Sequence, residues 1–146
     1  MYGNVLVATD GSDCADAAAS HAVELADVHG AELHALYVVD QSYPAMSGFD
    51  TVVERMEAEG EAALDTVGAS AAERDVSVSK TLRRGRPYEE ILGYAAHNDV
   101  DVVVLGATGR TGMDRLIHAG STTTRVVRRS HVPVIAVPPP GREPIA

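Results

Sequence analysis

The run "DVVVLGATGRTG" (residues 101–112) decides the fold. Its first half is apolar and branched at nearly every position, where a strand with one wet face would alternate. Such a strand needs cover on both faces, and a parallel sheet between two layers of helices supplies it. The second half carries Gly106, Gly109 and Gly112 at intervals of three. Glycine loses more conformational freedom on folding than any other residue. A loop built this way serves a tight turn, a close approach of something to the backbone, or a hinge.

"NVLVATD" (4–10) is a second apolar run, ending in the turn and cap cluster Thr9-Asp10-Gly11-Ser12. A helical pattern follows over 13–29, with Ala17, Ala18, His21, Ala22, Leu25 and Val28 near one face and Gly30 as its end. Next come a strand, "AELHALYVVD" (31–40), a polar connection over 41–49, and a helix over 50–74. In that helix Val53, Met56, Gly60, Leu64, Val67 and Ala71 recur at helical spacing. "VSVSKTL" (76–82) alternates and suits an edge strand. Gly85 makes a turn and Pro87 a first helical position before a helix over 88–98. Beyond the strand at 101–107 lie a helix over 120–130 and a last strand, "VPVIAV" (132–137). This β-α-β-α-β-α-β-α-β order predicts an α/β fold. The expected form is an open, doubly wound, five-stranded parallel sheet of strand order 3-2-1-4-5, with helices on both faces. Residues 1–138 are expected to form one domain and 139–146 a mobile, proline-rich tail.

Bulk properties narrow the function. The net charge is −9 and Lys80 is the only lysine, which argues against nucleic-acid binding through clustered cations. The acidic, lysine-poor composition fits either a salty cytoplasm or a codon preference for arginine. Cys14 is the only cysteine, so no internal disulfide exists and a reducing compartment is expected. No leader pattern opens the chain and no apolar stretch is long enough to span a bilayer, so a cytoplasmic location without membrane contact is expected. The six histidines are scattered without ligand spacing, and no protein-built metal site is predicted.

In open parallel sheets, ligands bind beyond the carboxyl ends of the strands where the winding reverses. Here that point lies between the first and fourth strands, followed by "ATDGSD" and "GATGRTG". The first loop is acidic through Asp10, Asp13 and Asp16, and suits hydroxyls or amines such as a ribose or base. The second leads into "GSTTTRVV", whose backbone N–H groups at Gly120, Ser121, Thr122 and Thr123 form an anion site, their hydroxyls adding donors. Arg110 and Arg115 add positive charge there. One extended ligand, neutral and polar at Asp10 and anionic at Gly109–Thr123, matches a nucleotide. Turn and capping chemistry alone would also account for these residues.

These segments resemble the universal stress proteins, from "NVLVATDGSDCADAAASHAVELA" through "LYVVD" to "DVVVLGATGRTGMDRLIHAGSTTTRVVRRSHVPVIAV", over residues 3–138. The nucleotide-binding branch of that family reads G-x-x-G, nine residues, then G-[S/T]. Gly106, Gly109 and Gly120-Ser121 match, with ten residues in place of nine between Gly109 and Gly120. The resemblance implies binding of ATP, or of AMP or ADP. By that match Asp10 contacts the nucleoside, the Val38 backbone meets adenine, and Gly106 and Gly109 line the ribose and phosphates. Gly120, Ser121 and Thr123 hold phosphates, and Thr122 offers its backbone. Magnesium or manganese would arrive on the phosphates. The extra residue in "RTGMDRLIHA" bears on the register of the phosphate donors.

Machinery for phosphoryl transfer is sparse. G-x-x-x-x-G-K-[ST] and G-x-G-x-x-G are absent. "TDGSDC" only faintly matches the S-G-G-x-D-S pyrophosphate loop of adenylating enzymes. Cys14, at a helix start, reads as a small core residue because Asp13 and Asp16 oppose a thiolate. A regulatory nucleotide-binding module with at most slow ATP hydrolysis is expected. A hydrolysing or nucleotidyl-transferring enzyme and a scaffold without nucleotide stand as alternatives. The strand at 132–137 would be an apolar, uncharged sheet edge, which predicts a homodimer through two copies of that strand, as the family also implies.

Overall fold

The structure, a computed structural model, describes residues 1–41, 49–107, 121–141 and 143–145, with the side chains of 49, 50 and 121 outside that description. The elements are β1 (Asn4–Ala8), α1 (Asp13–His29), β2 (Glu32–Asp40), α2 (Phe49–Ala72), β3 (Val78–Gly85), α3 (Pro87–His97), β4 (Val102–Gly106), α4 (Ser121–Arg129) and β5 (Val134–Val137). All strand pairs are parallel and the sheet order is β3-β2-β1-β4-β5. The doubly wound sheet expected from the sequence is therefore present.

The period-two geometry of the strands divides the core into two layers. Val5, Val7, Leu33, Ala35, Val39, Val102 and Val104 face α1 and α2. Leu6, Leu36, Val103 and Leu105 face α3 and α4, joined by Ile91, Tyr94 and Val126. Val5 to Val7 and Val102 to Val104 are fully buried, as strands covered on both sides must be.

Helix ends follow local chemistry. Ser12 caps α1, its hydroxyl oxygen accepting from Ala15 N at 3.1 Å, and Gly30 closes the helix at φ 64°. Pro87 opens α3 as its first helical residue. The buried stripe of α1 keeps the expected Ala18 and Ala22 but is rotated away from His21 and Val28. It runs through Cys14, Ala15, Ala18, Ala19, Ala22, Val23 and Ala26, while His21 is exposed and Val28 is 76% exposed. Alanines at helical spacing let α1 close tightly on the sheet, so small size, not greater apolarity, selects the inner face. In α2, Gly60 lies against Tyr37, whose ring would stand 2.5 Å from a Cβ at that position. The strand expected over 76–82 is β3, shifted to Val78–Gly85 because Arg83 and Arg84 continue the ladder to Val38 and Val39.

The amino ends of the strands are tied by polar groups. Asp101 Oδ2 accepts from Gly3 N at 2.8 Å and Asn4 N at 2.9 Å, and these two bonds hold its carboxyl below the usual range. His34 is buried between Tyr94 Oη at 2.7 Å and Asn4 Oδ1 at 3.0 Å. Asn4 Nδ2 donates to Asp99 O, so its Oδ1 is free to accept. The Nε2 nitrogen of His34 therefore carries the proton, and Nδ1 accepts from the tyrosine hydroxyl.

Candidate functional site: the crevice beyond β1 and β4

β2 lies on one side of β1 and β4 on the other, so the winding reverses between β1 and β4. The loop after β1 is rigidly built. Thr9 is buried, its N–H donates to Leu36 O at 2.9 Å, and its hydroxyl oxygen accepts from Gly11 N at 3.1 Å. Gly11 adopts φ 80°, a left-handed turn that suits glycine. Asp10 is half-buried and Oδ1 accepts from Ser12 N at 3.0 Å, forming an Asx turn. Its Oδ2 has no partner among the described residues.

This wall is negative. Asp16 is pushed above the usual carboxylate range, first by partial desolvation and then by the charges of Asp13 and Asp10. An anionic group is disfavoured against this wall, and a hydroxyl or amine donor is favoured.

Val38 stands on the same flank. The β1–β2 ladder ends at Ala8–Leu36, extended once by the Thr9 to Leu36 bond. Groups on a parallel strand address the same neighbour every second residue. The Val38 amide and carbonyl thus point toward β1 just past the end of its ladder.

The opposite wall is the end of β4 and the start of α4. The Thr123 hydroxyl donates to Gly106 O at 2.8 Å, fastening the first turn of α4 to the tip of β4. Its proton is therefore engaged within the protein. This corrects the expectation that the hydroxyl is a spare donor; toward a ligand Thr123 offers its N–H and an acceptor oxygen. As in any α-helix, the first-turn amides of Ser121, Thr122 and Thr123 lack partners four residues earlier within the helix. Gly106 has a packing duty that sequence reading missed. A Cβ there would stand 3.0 Å from Cys14 Sγ, 3.1 Å from Cys14 C and 3.2 Å from Cys14 O. Cys14 is buried as expected, and its thiol donates to Val137 O, which also accepts from Ala107 N. The ends of β4, β5 and α1 meet at these two residues. A glycine directly after an apolar strand run was the available signal for close approach, but it did not identify the approaching group as α1.

The structure thus brings Asp10, Val38, Gly106, Thr122 and Thr123 to the carboxyl end of the sheet. Gly109, Arg110 and Gly120 lie outside the described residues, as does the Ser121 side chain. Among the described residues, no group of three or more His, Cys, Asp or Glu side chains could hold a metal ion. No described helix is long and apolar enough to cross a membrane.

The profile of the Universal stress protein family matches residues 1–138. The chain belongs to that family. It is 36% identical over 147 residues to Universal stress protein MJ0531 of Methanocaldococcus jannaschii, covering 98% of this chain and 86% of the relative. Among solved structures, the universal stress protein UspA of Lactobacillus plantarum superposes with a TM-score of 0.75 at 36% identity, over 93% of this chain and 97% of that one. A universal stress protein crystallised in complex with cAMP superposes with a TM-score of 0.74 at 26% identity, over 93% of this chain and 97% of its own. This universal stress protein therefore shares both fold and family with a nucleotide-bound neighbour.

Proposed function

We propose that this universal stress protein binds an adenine nucleotide, ATP or its di- or monophosphate, in the crevice beyond β1 and β4. The observation that carries the reading is the pairing of a carboxylate wall at Asp10 with a helix start fastened at Thr123 to Gly106 O. The nucleoside lies toward Asp10 and the main chain of Val38. The phosphates lie toward the first-turn amides of α4, with Gly109, Arg110, Gly120 and Ser121 completing the cradle. A helix start of this kind accepts anions through several N–H bonds acting together, the dipole adding roughly 0.3–1 kcal/mol at an exposed site. A magnesium or manganese ion arrives on the phosphates. The cAMP complex of the 26% identical neighbour supports the ligand class.

The protein is read as a regulatory module of residues 1–138 with at most slow hydrolysis, working in the cytoplasm as a homodimer. β5 is a sheet edge. Val103 N donates to Pro133 O and Ala107 N to Val137 O, so the alternate residues Val134 and Ala136 direct their backbone groups outward. Pro133 therefore removes no donor from the open edge. Two such edges can pair across a two-fold axis.

Denaturing the purified protein and identifying the released small molecules tests this reading. An adenine nucleotide, reduced or lost in Asp10→Ala, is the expected result. A preparation without nucleotide that also takes up none on incubation with ATP would reject the reading in favour of a scaffold. Steady-state turnover at enzymatic rates would reject the regulatory role.

A further inference from the structure

The charges of this chain are unevenly shared among its helices, with Glu89 and Glu90 on α3. α1 carries four carboxylates and α2 six, against Arg55 alone, whereas α4 carries three arginines and no carboxylate. At about 100° per residue, Arg125, Arg128 and Arg129 fall on a continuous outward arc of α4, away from buried Val126. All three are exposed, and none has an ion-pair partner among the described residues. Cations in the last turn suit the helix dipole. That does not account for Arg125, nor for the repulsion of like charges three and four residues apart.

Two of these guanidinium groups are already positioned. Arg125 Cζ stands 5.0 Å and Arg129 Cζ 5.2 Å from the centre of the Tyr88 ring on α3. A guanidinium held over an aromatic ring by its charge still has N–H groups to offer a bidentate acceptor. On α3, Glu89 is otherwise engaged, its Oε1 accepting from Tyr88 Oη at 3.1 Å and pairing with Arg86 at 3.7 Å, and Glu90 forms no ion pair with the α4 arginines among the described residues.

We propose that the outer face of α4, with Tyr88, is a docking surface for a short carboxylate-rich segment of a partner protein. Carboxylates match the bidentate edges of the arginines. A short segment fits a patch one nine-residue helix long, while an extended polyphosphate would run onto a molecule of net charge −9.

The test uses the full chain and a fluorescein-labelled twelve-residue peptide of alternating Glu and Leu, read by anisotropy at low and moderate salt. Binding that weakens with salt and falls at least about fivefold in Arg125→Gln/Arg129→Gln is expected. Arg128→Gln, which touches no ring, should weaken binding in the same direction with an unchanged circular dichroism spectrum. Peptide binding unaltered in both variants overturns the proposal. So does tighter binding of single-stranded poly-uridylate than of the peptide, which would make the face a nucleic-acid site. Salt-sensitive self-association lost in the same variants, without peptide binding, overturns it in favour of a second copy of this chain.

Discussion

The hydroxyl of Thr123 donates to the carbonyl of Gly106 at 2.8 Å, joining the first turn of one helix to the last residue of a central strand. This bond fixes the α4 amides relative to the sheet. Thr123→Val keeps the shape and removes the donor, leaving a carbonyl without that partner. A loss of about 1–3 kcal/mol in urea unfolding is expected, with weaker ATP binding. Thr123→Ser should restore most of both. Equal stability of Thr123→Val and the parent would show that the bond does not position the helix.

Gly106→Ala tests the contact between β4 and α1. The added methyl meets both the thiol and the main chain of Cys14, and overpacking of about 1–3 kcal/mol is expected. Cys14→Ala removes the sulfur but not the backbone atoms, so the double variant should recover part of the loss. Chemical denaturation of the four proteins measures this coupling, and simple additivity would refute the direct contact.

The strand order and both faces of the core were legible because "NVLVA" and "DVVVL" declare burial on two sides, and because the helices between them force parallel crossovers. The site was legible as two turn-rich loops at the reversal of winding. Other features are decided by tertiary contacts. His21 and Val28 on α1 are read as inner residues from their type, yet the sheet takes the alanine stripe beside them. The hydroxyl of Thr123 reads as a spare ligand donor until the strand tip it caps is known. Cys14 and Gly106 lie far apart in sequence, and nothing local announces that they touch.

His34 gives the fold a pH dependence. Burial lowers its pKa from 6.5, with the Glu32 charge opposing, so the unfolded chain binds the proton more readily. Stability should be full above about pH 6.5 and fall as the pH drops from there toward the lower folded value. His34→Gln should be less stable at pH 7.5 but show a smaller change between pH 7.5 and 5.5. Urea midpoints at the two values decide it. A parent protein with the same midpoint at both would contradict a neutral, buried His34.

The open edge of β5 can be tested at one atom. Ala136→Pro removes an outward N–H while sparing the bonds that Pro133 O and Val137 O accept from β4. The variant should sediment as a monomer at micromolar concentration where the parent is a dimer. A variant that still dimerises would place the contact on another surface.

Equilibrium dialysis of ATP against the intact chain, beside Asp10→Ala and Thr123→Val, bears most directly on the nucleotide site. One nucleotide per chain is expected, with a Kd below about 1 mM that weakens in both variants. Saturable binding left unchanged by either substitution, or no binding at millimolar ATP, would contradict a ligand held between the two walls of this crevice.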